Sequence, residues 1–223
     1  MELITLDGPA GSGKSTVAKA LAQHLGYYFL STGTLYRAVA WHLTRQGWNG
    51  ALPLPLHLMA GFAVSIDAQA QVWVAGHLAT DLGSGEISTR ASLVSQAPSV
   101  REQANQLQRD VVQQVTQAGT FPGMVIEGRD SGTVVFPQAR HKFFVTAPDE
   151  IRAQRRLKEL LPRQPNLTLA QVLQEVRARD HQDETRALAP LKPAPDAVWI
   201  DTGNLDIQGV VNEILKHLAP PAA

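Results

Sequence analysis

Residues 8–15 read Gly8-Pro-Ala-Gly-Ser-Gly-Lys-Ser15, which is the spacing G-x-x-x-x-G-K-[ST]. The apolar run Leu3-Ile4-Thr5-Leu6 precedes it. Behind it Val17, Leu21 and Leu25 stand four apart, with Ala18 and Ala22 on the same helical face. Strand, glycine-rich loop and helix follow one another, and that order decides the fold class. Gly8, Gly11 and Gly13 let the backbone curl so that successive N–H groups point at one anion. The helix starting near Lys14 adds its positive dipole end. A nucleoside triphosphate is the expected ligand, held by Gly8, Pro9, Ala10, Gly11, Ser12, Gly13, Lys14, Ser15 and Thr16. Lys14 is expected on the outer phosphates, and the Ser15 hydroxyl on Mg²⁺.

Five short apolar runs read as buried parallel strands: 3–6, 27–30, 124–127, 142–146 and 198–201. Helical patterns are expected over about 14–25, 34–46, 99–117, 149–161, 169–182 and 206–218. In the last of these Ile207, Val210, Val211, Ile214, Leu215 and Leu218 recur at helical spacing. Thr168 followed by Gln171 is a capping-box start for the fifth. Alternating strands and helices predict an α/β fold with a parallel sheet and helices on both faces. Residues 50–90 break the rhythm. Phe62-Ala-Val-Ser-Ile66 alternates, a polar patch covers 67–71, and Val72-Trp73-Val74 resumes, which reads as an antiparallel hairpin with a third short strand near His77–Asp81.

Composition narrows the function classes. The formal net charge of +0 gives no global field toward nucleic acid or a membrane surface. From Arg152 to Arg186, however, there are seven arginines and one lysine. In a phosphate-binding chain such a stretch can meet phosphates; solvated helix faces are the bland alternative. The absence of cysteine removes disulfides, thiolate nucleophiles and cysteine-based zinc sites, and fits a cytoplasmic protein. No apolar run approaches a membrane span, and the chain opens directly on a strand, so neither a membrane anchor nor a signal peptide is expected. Residues 219–223 read as a frayed tail.

In open α/β sheets ligands bind beyond the carboxyl ends of the strands. After the second strand comes Ser31-Thr-Gly-Thr-Leu-Tyr-Arg37, and after the third Gly128-Arg-Asp-Ser-Gly-Thr133. Arg37 and Arg129 are candidates for a second anion, because a planar guanidinium suits phosphate bidentately. Asp130 either accepts from an N–H donor of a substrate or orients Arg129; both roles are open. Arg179, Asp183 and Arg186 share one helical face if the helix extends that far. Arg152, Arg155 and Arg156, after the fourth strand, either reach the nucleotide or cover the surface. The seven histidines show no metal-ligand spacing.

Read together, these stretches resemble the bacterial cytidylate kinases, a family of the nucleoside monophosphate kinases. The resemblance runs over nearly the whole chain. Its motifs are I-T-L-D-G-P-A-G-S-G-K-S at 4–15, T-G-T-L-Y-R at 32–37, E-G-R-D-S-G-T-V-V-F-P at 127–137 and R-D-H-Q-D-E-T-R-A-L-A-P-L at 179–191. It implies a P-loop NTPase-type five-stranded parallel sheet flanked by helices, with a small antiparallel β insertion and a short helical lid. It implies a core of 1–31, 118–157 and 187–219, a monophosphate-binding region of 32–117 with its β insertion at about 60–90, and a lid at about 158–186. It also implies transfer of the γ-phosphoryl group of ATP, as a Mg²⁺ complex, to CMP or dCMP.

The same resemblance gathers Lys14, Arg37, Arg129 and Arg179 around the phosphates, with Lys14, Arg129 and Arg179 catalytic. It adds Arg152 and Arg156 to the ATP contacts. It sets Asp183 at the sugar hydroxyls, Arg186 and Thr32 among the CMP contacts, and Asp130, Arg101 and a serine at the cytosine edge. Ser92 has the family spacing before Arg101, while Ser95 sits in the more familiar Val-Ser-Gln context. Glu127 stands where the family usually has aspartate, and Thr32 where serine is common. Closure of the monophosphate region and of an arginine-rich lid is expected to exclude water. The implied partners are small-molecule nucleotides, with no nucleic acid and no membrane, and the acting species is a monomer in the cytoplasm. Two rivals share the phosphate loop: another small-metabolite P-loop kinase, and a nucleotide sensor without turnover. The first does not account for the 127–137 motif or the hairpin, and for the second the sequence shows no apolar patch that demands a partner.

Overall fold

In the computed structural model, which describes residues 1–66, 71–162 and 164–218, the first strand β1 (Glu2–Asp7) lies at the centre of a sheet. Its neighbours are β6 (Gly123–Gly128) and β7 (His141–Thr146). β2 (Tyr28–Ser31) and β8 (Val198–Asp201) form the edges, in the order β2-β6-β1-β7-β8. All five strands run parallel. Leu3 pairs with Met124, Leu6 with Phe143 and Val145 with Ile200. Every residue of β6 is buried, as a central parallel strand requires when both faces are covered.

Two contact-defined units make up the chain, residues 1–30 with 111–223, and residues 31–110. In the first, α1 (Lys14–Leu25) and α7 (Ile207–Leu218) cover one face of the sheet. Val17, Leu21, Val210, Val211 and Ile214 pack there on Ile4, Leu6, Phe143 and Val145. Each fully buried aliphatic side chain contributes about 1.5–3 kcal/mol. On another cluster, Met124, Ile126, Val135 and Phe136 meet Val111, Val112 and Val115 from the C-terminal part of α4 (Pro98–Ala118). α5 (Asp149–Leu160) packs on α6 (Leu169–Thr185) through Ala153, Val172 and Val176. The Thr168–Gln171 capping box starts α6 as its spacing predicts. Arg186 falls one residue past the helix, in extended backbone.

The second unit holds α2 (Thr32–Arg45), a three-stranded antiparallel sheet and α3 (Gly85–Val94). The strands are β3 (Val64–Ile66), β4 (Val72–Val74) and β5 (His77–Leu78), with Val64 opposite Val74 and Val74 opposite His77. Its core joins Val39, Trp41, Leu43, Trp48, Val74, Ile87, Val94 and Val100. α3 is absent from the expected elements. Ser84 caps it through the Ile87 amide at 3.2 Å, and Ile87, Ala91 and Val94 are its only buried positions. Residues 67–70 of the expected polar patch, Arg163 and the tail 219–223 lie outside the described residues.

Candidate active site

The phosphate loop runs from the end of β1 into α1, and its glycines answer local geometry. A Cβ on Gly8 would fall 2.0 Å from the Val145 carbonyl oxygen. Gly13, at φ 82°, is the left-handed N-cap of α1. No acidic residue occupies the first turn of α1, so its dipole is uncompensated toward the loop. Ser15 and Thr16 are exposed there. Lys14 folds back and donates from Nζ to the Pro9 carbonyl at 3.1 Å. Burial brings its pKa down to about 7; Arg129 and Arg179 push the same way, against Glu127 and Asp183. These four charged side chains therefore stand around the Lys14 ammonium.

Arginines of α5 fasten the loop from behind. Arg152, 3% exposed, donates from Nε to the Ala147 carbonyl at 2.9 Å and from Nη1 to the Ala10 carbonyl at 3.0 Å. It also pairs with Asp149 and Asp180. All three of its side-chain nitrogens meet protein acceptors, and one of these is the backbone of the loop. Arg155, expected either to reach the nucleotide or to cover the surface, joins the loop to the end of β8. It donates to Thr202 Oγ1 at 2.8 Å, to the Thr202 carbonyl at 2.6 Å and to the Ser12 carbonyl at 3.4 Å. Arg156 pairs instead with Glu159 on the surface of α5 at 2.8 Å.

Beyond β6 the chain enters Arg129, Asp130 and a wide helical turn at Ser131–Val135. Both oxygens of Asp7 accept from that turn, at 2.9 Å from the Ser131 amide and 2.7 Å from the Gly132 amide. They satisfy two of the amides that a helix start leaves open. Burial pushes the Asp7 carboxyl up to about 6, against the two amide bonds, which favour the charged form. Arg129 donates from Nε to Asp183 Oδ2 at 3.0 Å. The Arg186 guanidinium lies 3.7 Å from Asp130 and 3.7 Å from Asp183. Two arginines and two carboxylates thus interlock near Lys14 and Arg179, beside the loop.

In residues 31–110 a second set of expected residues meets. Thr32 is buried at the start of α2. Arg37, one turn on, donates to Thr34 Oγ1 at 3.3 Å and lies over Gly33. Arg101 is 5% exposed, donates to the Ser95 carbonyl at 3.2 Å and has its guanidinium carbon 5.8 Å from the Tyr36 ring centroid. Ser95, the C-cap of α3, donates its hydroxyl to the Ser92 carbonyl at 2.7 Å. The Ser92 hydroxyl is buried and has no hydrogen-bond partner among the described residues. Of the two serines, Ser92 keeps its hydroxyl unengaged.

A profile of the family described as cytidylate kinase matches residues 4–219. The chain is 40% identical to a cytidylate kinase of Nitratidesulfovibrio vulgaris (strain Hildenborough) over 98% of its own length and 93% of the relative's. It is 42% identical to one of Pseudothermotoga lettingae, covering 96% and 92% of the two chains. It is 40% identical to one of Coxiella burnetii, covering 97% and 91%. With the phosphate loop, the parallel sheet and the arginine–carboxylate cluster in place, the chain belongs to the cytidylate kinase family.

Proposed function

We propose that the protein transfers the γ-phosphoryl group of ATP to the phosphate of CMP or dCMP, releasing ADP and CDP or dCDP. Family membership supports this reading, and the observation that carries it is the buried Lys14 ammonium beside Arg129 and Arg179 at the phosphate loop. Phosphoryl transfer needs in-line positioning and neutralisation of charge on the moving group. An oxygen of the CMP phosphate attacks the γ-phosphorus while the bond to the β–γ bridging oxygen breaks, so no enzyme nucleophile is needed.

Residues 8–16 are the proposed triphosphate cradle, with Arg152 and Arg155 fixing its backbone and Arg156 at its outer side. Lys14, Arg129 and Arg179 stabilise the transferring group. Thr32, Arg37, Arg129 and Arg186 take the acceptor phosphate and its surroundings, and Asp183 accepts from the sugar hydroxyls. Ser92, Arg101 and Asp130 are assigned to the cytosine edge. The exposed Ser15 hydroxyl, a hard oxygen in the first turn of α1, fits Mg²⁺, which keeps most of its ligands as water and phosphate oxygen. Bound with ATP, Mg²⁺ would neutralise phosphate charge. The acting species is taken as a cytoplasmic monomer, in keeping with the cysteine-free sequence. No helix among the described residues is long and apolar enough to cross a membrane.

An ADP-release assay across CMP, dCMP, UMP and AMP tests the assignment. Fast turnover with CMP and dCMP, much slower with UMP and negligible with AMP, is expected. Nucleotide binding without turnover, or equal use of all four acceptors, would overturn it.

A further inference from the structure

Thr202 follows β8 directly, at the carboxyl end of an edge strand, and is 2% exposed. Its amide donates to the Thr146 carbonyl at 2.8 Å, which extends the pairing of β7 with β8 by one bond. Its hydroxyl turns to the phosphate loop and donates to the Ser12 carbonyl at 2.9 Å. The same hydroxyl accepts from Arg155 Nη1 at 2.8 Å, while the Thr202 carbonyl accepts from Arg155 Nη2 at 2.6 Å. The bond of Arg155 Nη1 to the Ser12 carbonyl is longer, at 3.4 Å, and so weaker. A guanidinium therefore polarises the Thr202 hydroxyl toward Ser12. Ser12 is 0% exposed, and its carbonyl depends on these protein donors. All of these residues lie in the unit formed by 1–30 and 111–223.

The direction of that bond has a consequence on the other side of the peptide. A trans peptide unit is planar, with its carbonyl and its N–H pointing opposite ways. The Ser12 carbonyl points to Thr202 and Arg155, so the Gly13 N–H points away from α5 and β8. Gly13 sits at φ 82° as the N-cap of α1. Glycine enters that region at little cost, but it enters others as readily and does not enforce one direction. A donor on the Ser12 carbonyl removes the freedom that glycine leaves. We propose that Thr202 is a positioning residue for phosphoryl transfer: its hydroxyl fixes the Ser12–Gly13 peptide so that the Gly13 amide meets the phosphates of the donor nucleotide. This rests on the reading of residues 8–16 as the triphosphate cradle and adds to it a residue nearly 190 positions away.

The test compares Thr202→Val with Thr202→Ser in the full chain. Valine keeps the branched shape, the backbone amide and the carbonyl that holds Arg155, and removes the hydroxyl. Serine keeps the hydroxyl. Kinetics are measured with ATP varied at saturating CMP and with CMP varied at saturating ATP, and ADP affinity is measured by calorimetry. Thr202→Val should lower kcat/KM for ATP and weaken ADP, each by about tenfold, with KM for CMP unchanged. Thr202→Ser should restore both values. If valine fails to fold, Thr202→Ala against Thr202→Ser makes the same comparison, because that pair differs only in the hydroxyl. A lower Tm with unchanged ATP kinetics and ADP affinity, a loss shared equally by ATP and CMP, or a serine variant as impaired as the valine one would each overturn the proposal. Absence of turnover in the unsubstituted protein would overturn the kinase reading instead, and ADP affinity would still decide the role of Thr202.

Discussion

The carboxylate of Asp7 holds the amide of Gly132 at 2.7 Å across 125 residues of sequence. Asp7 immediately precedes the phosphate loop, and Gly132 lies in the turn that presents Arg129 and Asp130. One buried carboxylate therefore registers the phosphate loop against the turn that carries Arg129. Asp7→Asn replaces an acceptor with an N–H₂ that faces another N–H. The expected outcome is a fall in kcat of about tenfold or more, from the loss of a hydrogen bond to a charged group. The folded pKa of about 6 exceeds the ordinary 3.8, so the folded chain keeps this proton where the unfolded chain has lost it. The contribution of Asp7 to folding is thus fullest below about pH 4 and declines as pH rises through about 6. Thermal melts across that window should be less pH-dependent in Asp7→Asn, and an unchanged kcat would remove the positioning role.

Lys14, in its proposed place at the triphosphate, should make binding proton-linked. Its pKa of about 7 in the free protein rises when anionic phosphates arrive. Above pH 7 binding must therefore take up a proton, and affinity should weaken as pH rises from about 7 to 9. Calorimetry of the triphosphate in buffers of different ionisation heat measures the uptake; none at pH 8 would contradict the linkage. Lys14→Ala should abolish transfer while leaving CMP binding measurable.

Arg37→Lys and Arg129→Lys keep the charge and lose the planar fork. Each should lower kcat/KM for CMP by about a hundredfold, from lost positioning and transition-state contacts. For Arg129 the bond to Asp183 is lost as well. Steady-state kinetics that are unchanged in both variants would place these arginines outside the reaction.

Base choice separates the two serines. Cytosine differs from uracil by an amine donor and an unprotonated ring nitrogen, and a site with polar partners rejects the analogue that leaves them unpaired. Ser92→Ala and Asp130→Ala should each narrow the ratio of CMP to UMP turnover. Ser95→Ala should leave that ratio alone and cost about 0.5–1.5 kcal/mol of stability through the lost bond to the Ser92 carbonyl. If Asp130→Ala slows both nucleotides equally, Asp130 orients the neighbouring arginines and does not read the base.

Features that local rules dictate are legible in the order of residues. The spacing of Gly8, Gly13, Lys14 and Ser15 marks the loop, because glycine enters a left-handed N-cap at least cost and a Cβ at Gly8 would meet the Val145 carbonyl. Apolar runs marked the parallel strands, because strands covered on both faces are apolar throughout. Thr168 and Gln171 marked the start of α6, because a capping box is satisfied within four residues. α3 was hidden because three apolar residues among serines, threonine and arginine make a weak stripe, and its stability comes from packing in its own unit. Which charges meet is a property of the folded chain. Asp7 reaches the turn after β6, Arg152 reaches the loop and Asp180, Arg155 reaches Thr202, and Arg129 pairs with Asp183. Each of these contacts joins residues far apart in the chain, and no local pattern records them. Long-range hydrogen bonds and burial arise when the sheet order brings strand ends together, and they set the pKa values of Lys14 and Asp7.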